Sequence, residues 1–183
     1  MKKVIAPLGM PGGGKTEAIE YLQKKYAWPK VYFGEVTFDE VKRLGLEINE
    51  KNERLARESL RDNFGEDHYA KEVIKKIEAL GDAPVVLVES LYSYVEYKAF
   101  KEKYGDDFVT VLIHASPKTR YARLANRPVR PLTADEAESR DVAQLNRQTQ
   151  GHPIALADYV VINEGTQEEL YQALDGTIKK ILG

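Results

Sequence analysis

The chain has 183 residues, 43% of them hydrophobic and 31% charged, with a formal net charge of −2 and no cysteine. This is the composition of a soluble globular protein of one domain with a sizeable core. It excludes disulfides and thiolate metal sites, contains no apolar run of the roughly 20 residues that span a membrane, and offers no overall positive charge to nucleic acid. Anionic ligands must then be held by locally placed lysines and arginines, and a cytoplasmic setting is expected.

The first element is the apolar run 3–8, a buried strand, followed by Gly9-Met10-Pro11-Gly12-Gly13-Gly14-Lys15-Thr16 and a helical pattern from Glu17. The spacing G-x-x-x-x-G-K-[ST] between a strand and a helix predicts a phosphate-binding loop. Gly9, Pro11, Gly12, Gly13 and Gly14 form a turn whose N–H groups curl around phosphates, Lys15 neutralises the outer oxygens, and the Thr16 hydroxyl ligates Mg²⁺. A loop this close to the start leads us to expect a small enzyme with no domain or targeting segment ahead of its first strand.

β-branched runs near 31–34, 84–89, 108–114 and 158–163 complete five strands, which alternate with helical patterns as in a parallel sheet covered on both faces. Capping boxes predict helix starts at Thr37, Ser93, Thr133 and Thr166, and Ser116-Pro117 predicts another. Leu170, Leu174, Ile178 and Ile181 form one apolar stripe on the last helix. Between the second and third strands lies an insertion of about 50 residues, helical from 37 to 80 with breaks near Gly45, Gly65 and Gly81; a simple crossover needs far fewer. Arg127-Pro128-Val129-Arg130-Pro131-Leu132 interrupts two helices and reads as a short lid, 127–133, that excludes water and brings positive charge inward. The expected fold is therefore a single three-layer α/β P-loop domain over 1–183, with a helical acceptor-binding insertion.

Several segments carry a more specific likeness: Gly34-Glu35-Val36, Leu60-Arg61, Ile113 to Arg120, Arg123 and Arg127, Ser139-Arg140-Asp141, and Ala155 to Thr166. With them the chain resembles, over almost its whole length, the adenylate kinase-related P-loop proteins found mainly in archaea, also grouped as dephospho-CoA kinase-like. The resemblance implies ATP-dependent phosphoryl transfer to a small phosphorylated acceptor, first of all a nucleoside monophosphate. On this pattern Lys15, Thr16 and the loop glycines hold the donor phosphates and Mg²⁺. Arg123 and Arg127 lie near the donor base and phosphates, Arg130 and Arg140 clamp the transferring group, and Asn163 and Gly165 meet the adenine. Glu35, Arg57 and Arg61 belong to the acceptor side. Glu89 orients a metal-bound water or takes the acceptor's proton.

Two positions depart from that pattern. Tyr92 and Thr37 stand where relatives place arginines, so the acceptor side lacks two positive charges. Dephospho-CoA kinase activity is a second reading, because the segments around Arg140 and Asp158 also resemble those enzymes. A nucleotide-binding regulatory module with weak hydrolysis is a third. The arginines between 120 and 147 also admit a plainer reading, as a solvated helix face paired with Asp135, Glu136, Glu138 and Asp141. The expected partner is a small molecule, with neither nucleic acid nor membrane, and the expected state is a monomer or homodimer.

Overall fold

A computed structural model describes residues 2–147 and 149–183. Strand β1 (Lys3–Leu8) runs through the glycine turn into α1 (Lys15–Tyr26), and β2 (Lys30–Tyr32) follows. The insertion folds as α2 (Gly34–Arg43), α3 (Glu50–Phe64) and α4 (His68–Glu78), and the chain returns through β3 (Val85–Glu89). Then come α5 (Tyr94–Tyr104), β4 (Phe108–His114), α6 (Pro117–Ala125), α7 (Ala134–Arg147), α8 (Gly151–Ala155), β5 (Tyr159–Ile162) and α9 (Gln167–Leu182). The strands form one sheet in the order β2-β3-β1-β4-β5, and every pairing is parallel.

Alternation along the strands divides the core into two halves. Val4, Ala6 and Leu8 of β1 face the side packed by α2, α4 and α5, where Val73, Ile77 and Phe100 are buried. Ile5 faces the other side, against Ile19 and Leu22 of α1 and the stripe Leu170, Leu174, Ile178 and Ile181 of α9. A sheet sandwiched in this way keeps its loops at the carboxyl ends of the strands free for ligands.

The capping boxes at Ser93 and Thr166 form, with Glu96 and Glu169 reaching back, and Thr133 makes the same exchange with Glu136. The one expected at Thr37 does not. Helix α2 already begins at Gly34, and the buried Thr37 hydroxyl lies 2.8 Å from the Tyr69 hydroxyl of α4. A tertiary partner has taken the oxygen that a free helix end would have used. The second strand is correspondingly shorter than 31–34, because the backbone at Phe33 has already turned helical (φ −55°, ψ −35°).

One buried ion pair joins distant segments behind the glycine turn. Arg120, 5% exposed, donates from Nε to the Ala115 carbonyl, from Nη1 to the Pro11 carbonyl, and from both Nη atoms to Asp141 at 3.0 and 2.6 Å. Asp141 also accepts from the Tyr121 hydroxyl. The loop, the start of α6 and the middle of α7 are thus fixed by one guanidinium. Removing one partner leaves an uncompensated buried charge, so Arg120→Met should lower unfolding free energy by about 3–5 kcal/mol in urea titrations. Arg54→Met, which breaks an exposed ion pair with Glu58, should cost about 1 kcal/mol or less.

Candidate active site

The glycine turn is shaped by what it touches. A Cβ on Gly12 (φ 78°) would lie 2.7 Å from the Arg120 carbonyl oxygen, and one on Gly14 (φ 100°) 2.3 Å from Asn163 Nδ2. Neither position accepts a side chain. Gly14 caps α1 without any side-chain hydrogen bond, which leaves the first-turn amides open to an anion. Lys15 Nζ donates to the carbonyls of Gly9 (2.7 Å) and Met10 (3.1 Å), and Gln150 Nε2 donates to the same Gly9 oxygen at 3.1 Å.

In front of the turn is a cavity of about 170 Å³ whose walls include Lys15, Thr16, Glu89, Arg127, Arg140 and Gln144. Three cations facing one small space suit a polyphosphate. The exposed Thr16 hydroxyl and the Glu89 carboxylate are hard oxygen donors of the kind Mg²⁺ takes. Glu89 is oriented by Lys30 Nζ at 2.7 Å.

Beside it a second hollow of about 360 Å³ is lined by Gly14, Arg123, Asn163, Gly165 and Gln167. Asn163 Nδ2 donates to the Gly13 carbonyl at 2.9 Å, so the segment after β5 is tied to the glycine turn. Arg123 Nη2 reaches Asn163 Oδ1 and the Gly165 carbonyl, each at 3.4 Å. Glu164 accepts from the Ser116 amide and the Thr119 hydroxyl, which anchors the same segment to α6.

On the insertion side a cavity of about 310 Å³ is walled by Tyr32, Phe38, Tyr69 and Tyr92 together with Arg57 and Arg61. Burial raises the phenol pKa of Tyr32 and of Tyr69, so both rings stay neutral. Arg57 is already paired with Glu50 (2.9 Å) and Glu53 (3.4 Å). Arg61 makes no ion pair among the described residues, and its guanidinium stands 5.8 Å from the centre of the Tyr69 ring. This cavity and the Lys15 cavity share two walls, Ser90 and Tyr92. Ser90 has φ 70°, a left-handed conformation unusual for a residue with a side chain, and its hydroxyl lies 3.1 Å from that of Tyr92.

The sequence-expected residues are thus gathered around three adjoining hollows or, for Gly9 and Gly13, lie in the glycine turn itself, with the exceptions of Glu35 and Arg130. Glu35 lies outside all three, with its carboxylate 3.5 Å from Lys76 Nζ; the early start of α2 carries it away from the cavity on the insertion side. Arg130 is exposed and lines none of them, and what it supplies is a carbonyl that accepts from Arg127 Nε. Arg127 itself borders the Lys15 cavity and not the hollow beside Asn163. Three residues to which sequence reasoning gave no role of their own matter here: Arg120, Gln144 and Ser90. None has a local signature, although Gln144 does stand one helical turn after Arg140.

Burial, followed by the charges of Arg140 and Arg120, pushes the Lys15 ammonium down to about 8. Below that pH the empty site carries the charge, and above it the charge is lost. A bound triphosphate restores the proton, so nucleotide affinity should be flat below pH 8 and fall by up to about tenfold per pH unit above it. Calorimetric titration with MgATP from pH 7 to 9.5 checks this. Lys15→Met should bind weakly at every pH and show no such slope.

Comparison with known proteins places this geometry in a lineage. An AAA domain family model matches residues 5–144. The UPF0200 protein of Methanocaldococcus jannaschii is 37% identical over 182 residues, which cover 98% of this chain and 90% of that one. That of Staphylothermus marinus is 34% identical, over 98% and 93%. Among solved structures, a Thermus thermophilus protein aligns with TM-score 0.65 at 19% identity, over 100% of this chain and 99% of its own. Shikimate kinase from Acinetobacter baumannii in complex with shikimate (15% identity, 98% and 94%) and a gluconokinase from Sinorhizobium meliloti (13%, 98% and 95%) each align with TM-score 0.57. At such identities these structures establish the fold, an α/β P-loop kinase fold with a five-stranded parallel sheet. By its family-model match and by relatives of this identity and coverage, the chain belongs to the UPF0200 family of P-loop proteins with an AAA domain.

Proposed function

We propose that the protein transfers the γ-phosphoryl group of ATP, with Mg²⁺, to a small phosphorylated acceptor of the nucleoside monophosphate kind. The observation that carries this reading is the junction of two unlike cavities at Ser90 and Tyr92: one lined by Lys15, Thr16, Arg127 and Arg140, the other by aromatic rings and Arg61. The first suits a triphosphate, and the second suits a flat base with one anionic group. Asn163, Gly165 and Arg123 border the place for the donor base. The turn 127–133 is the segment that closes over the phosphates. Catalysis then comes from positioning and charge neutralisation, with no covalent enzyme intermediate.

The partner on this reading is a small molecule, the setting cytoplasmic, and the working unit a monomer or homodimer. Dephospho-CoA is the second acceptor, on the likeness of the segments around Arg140 and Asp158. A panel of nucleoside monophosphates plus dephospho-CoA, with acceptor-dependent ADP release as readout, tests the proposal. Binding of ATP without any acceptor-dependent ADP would instead mark a regulatory module.

Lys15→Ala should abolish transfer with the fold retained. Arg61→Ala should raise the acceptor KM about 100-fold, since a charge-assisted contact to an anion is lost, while the KM for ATP changes less than about threefold. Equal losses for both substrates would show that Arg61 supports the fold and does not hold the acceptor.

A further inference from the structure

The cavity on the insertion side has two carboxylates on its walls, Glu53 and Glu96. Glu96 is committed, because its Oε2 accepts from the amides of Tyr92 (2.8 Å) and Ser93 (2.9 Å) in the cap of α5. Glu53 has capacity left. Its side chain is 23% exposed, its Oε2 meets Arg57 Nη1 only at 3.4 Å, and its Oε1 accepts no hydrogen bond among the described residues. The shorter contact of Arg57 goes to Glu50, at 2.9 Å. An accessible carboxylate with unused lone pairs therefore opens onto a cavity whose walls include the rings of Tyr32, Phe38, Tyr69 and Tyr92.

An ionised carboxylate only accepts hydrogen bonds, so a ligand group that faces it must donate. Two donors side by side use both of its oxygens at once, as in a charge-assisted bidentate pair. Among the common bases of nucleoside monophosphates, adenine and cytosine present an amino group beside a bare ring nitrogen, and uracil presents a single N–H between two carbonyls. Guanine alone presents two adjacent N–H donors, one on the ring and one on its 2-amino group. The carbonyl next to them needs a donor in turn. Tyr32 borders the same cavity with a hydroxyl that has no partner among the described residues; burial above all keeps it protonated, and Glu53 is among the charges that add to that effect.

The spacing along α3 agrees. Glu53 and Arg61 stand two helical turns apart on this helix, about 12 Å along its axis, and both line the cavity. Burial raises the Glu96 carboxyl, and the charge of Arg61 is among the influences that lower it, so Arg61 lies toward the Tyr92 seam to which Glu96 is bonded. A mononucleotide lying along α3 has its phosphate at Arg61, its base among the rings, and the outer edge of that base at Glu53.

We infer that the acceptor is a guanine nucleotide, and that Glu53 determines this by accepting the two adjacent N–H groups of the base while Arg61 holds the phosphate. This deepens the nucleoside monophosphate kinase reading above and rests on it.

The test uses the purified full chain with MgATP and a panel of GMP, IMP, AMP, CMP, UMP and dephospho-CoA, with acceptor-dependent ADP release as readout. GMP should exceed AMP about 100-fold in kcat/KM, and IMP, which lacks the 2-amino donor, should fall about tenfold below GMP. Calorimetric titration of GMP and AMP without ATP should show the same order. AMP, CMP, UMP or dephospho-CoA as the best acceptor would overturn the inference and leave phosphoryl transfer standing. No acceptor-dependent ADP with any member of the panel would overturn both.

Glu53→Gln replaces two acceptor oxygens by one acceptor and one donor, the pattern that complements adenine and not guanine. The ratio of GMP to AMP in kcat/KM should therefore fall about 100-fold in this variant, with the KM for ATP within about threefold of the parent. A ratio within one variant is insensitive to any loss of folded protein. If Glu53→Gln lowers GMP and AMP turnover by the same factor, Glu53 serves only to support α3 and the inference fails.

Discussion

The site depends on one buried guanidinium. Arg120 brings together the Pro11 carbonyl of the glycine turn, the Ala115 carbonyl at the end of β4, and Asp141 in α7. Its fork fills four hydrogen bonds at fixed angles, which an ammonium could not do from the same position. Because Asp141 is held, Arg140 beside it and Gln144 one turn further on are delivered to the cavity in front of Lys15. The Lys15 cavity therefore has walls from three parts of the chain that this ion pair ties together. Such a pair adds little net stability compared with an apolar substitute, and its value lies in the geometry it specifies.

Chemistry, and not volume, distinguishes the site from the other hollows. A cavity of about 580 Å³ behind the insertion is ringed by groups that already satisfy one another, among them Arg43 with Glu40 and Lys76 with Asp39. One of about 700 Å³ beside α1 has Lys25 committed to Asp175 and Tyr21 stacked on Tyr171. In the Lys15 cavity, by contrast, Arg127 and Arg140 face the space without a carboxylate partner among the described residues. In the cavity on the insertion side Tyr92 and Thr37 are neutral, and Arg57 is paired with two glutamates. There Arg61 faces aromatic walls and, among the described residues, makes no ion pair.

What the sequence made legible were features with local grammar. Strand β1, the glycine turn, the caps at Ser93 and Thr166 and the stripe on α9 each follow from residues within a few positions of one another. The grouping of Lys15 and Glu89 follows from parallel pairing, which brings the carboxyl ends of β1 and β3 together. The illegible features are long-range. Thr37 has a cap's spacing, but Tyr69 claims its hydroxyl from 32 residues away. Asp141 reads as a counter-ion on a solvated helix, and only packing shows it buried against Arg120. Arg130 sits in a promising arginine turn, yet its positive φ of 52° accompanies an exposed side chain outside the cavities.

The remaining costs of the fold are concentrated around the glycine turn. Among the described residues the buried side-chain atoms without partners are Arg123 Nη1, Gln144 Oε1 and Gln150 Oε1, two of them in residues lining the hollows beside the glycine turn and the third in a residue bonded to that turn. Lys15 is desolvated and crowded by arginines, and its ammonium is satisfied for the moment by loop carbonyls. Ser90 holds a left-handed backbone at the seam of the two cavities. Elsewhere the two half-cores are tightly filled, with Phe100, Leu87, Ile113 and Leu174 almost wholly inaccessible. A well-packed sheet can carry a few unsatisfied groups within the modest stability of a small domain. These groups lie around the glycine turn and its neighbouring hollows, so the unsatisfied part of the fold is confined to one end of the sheet.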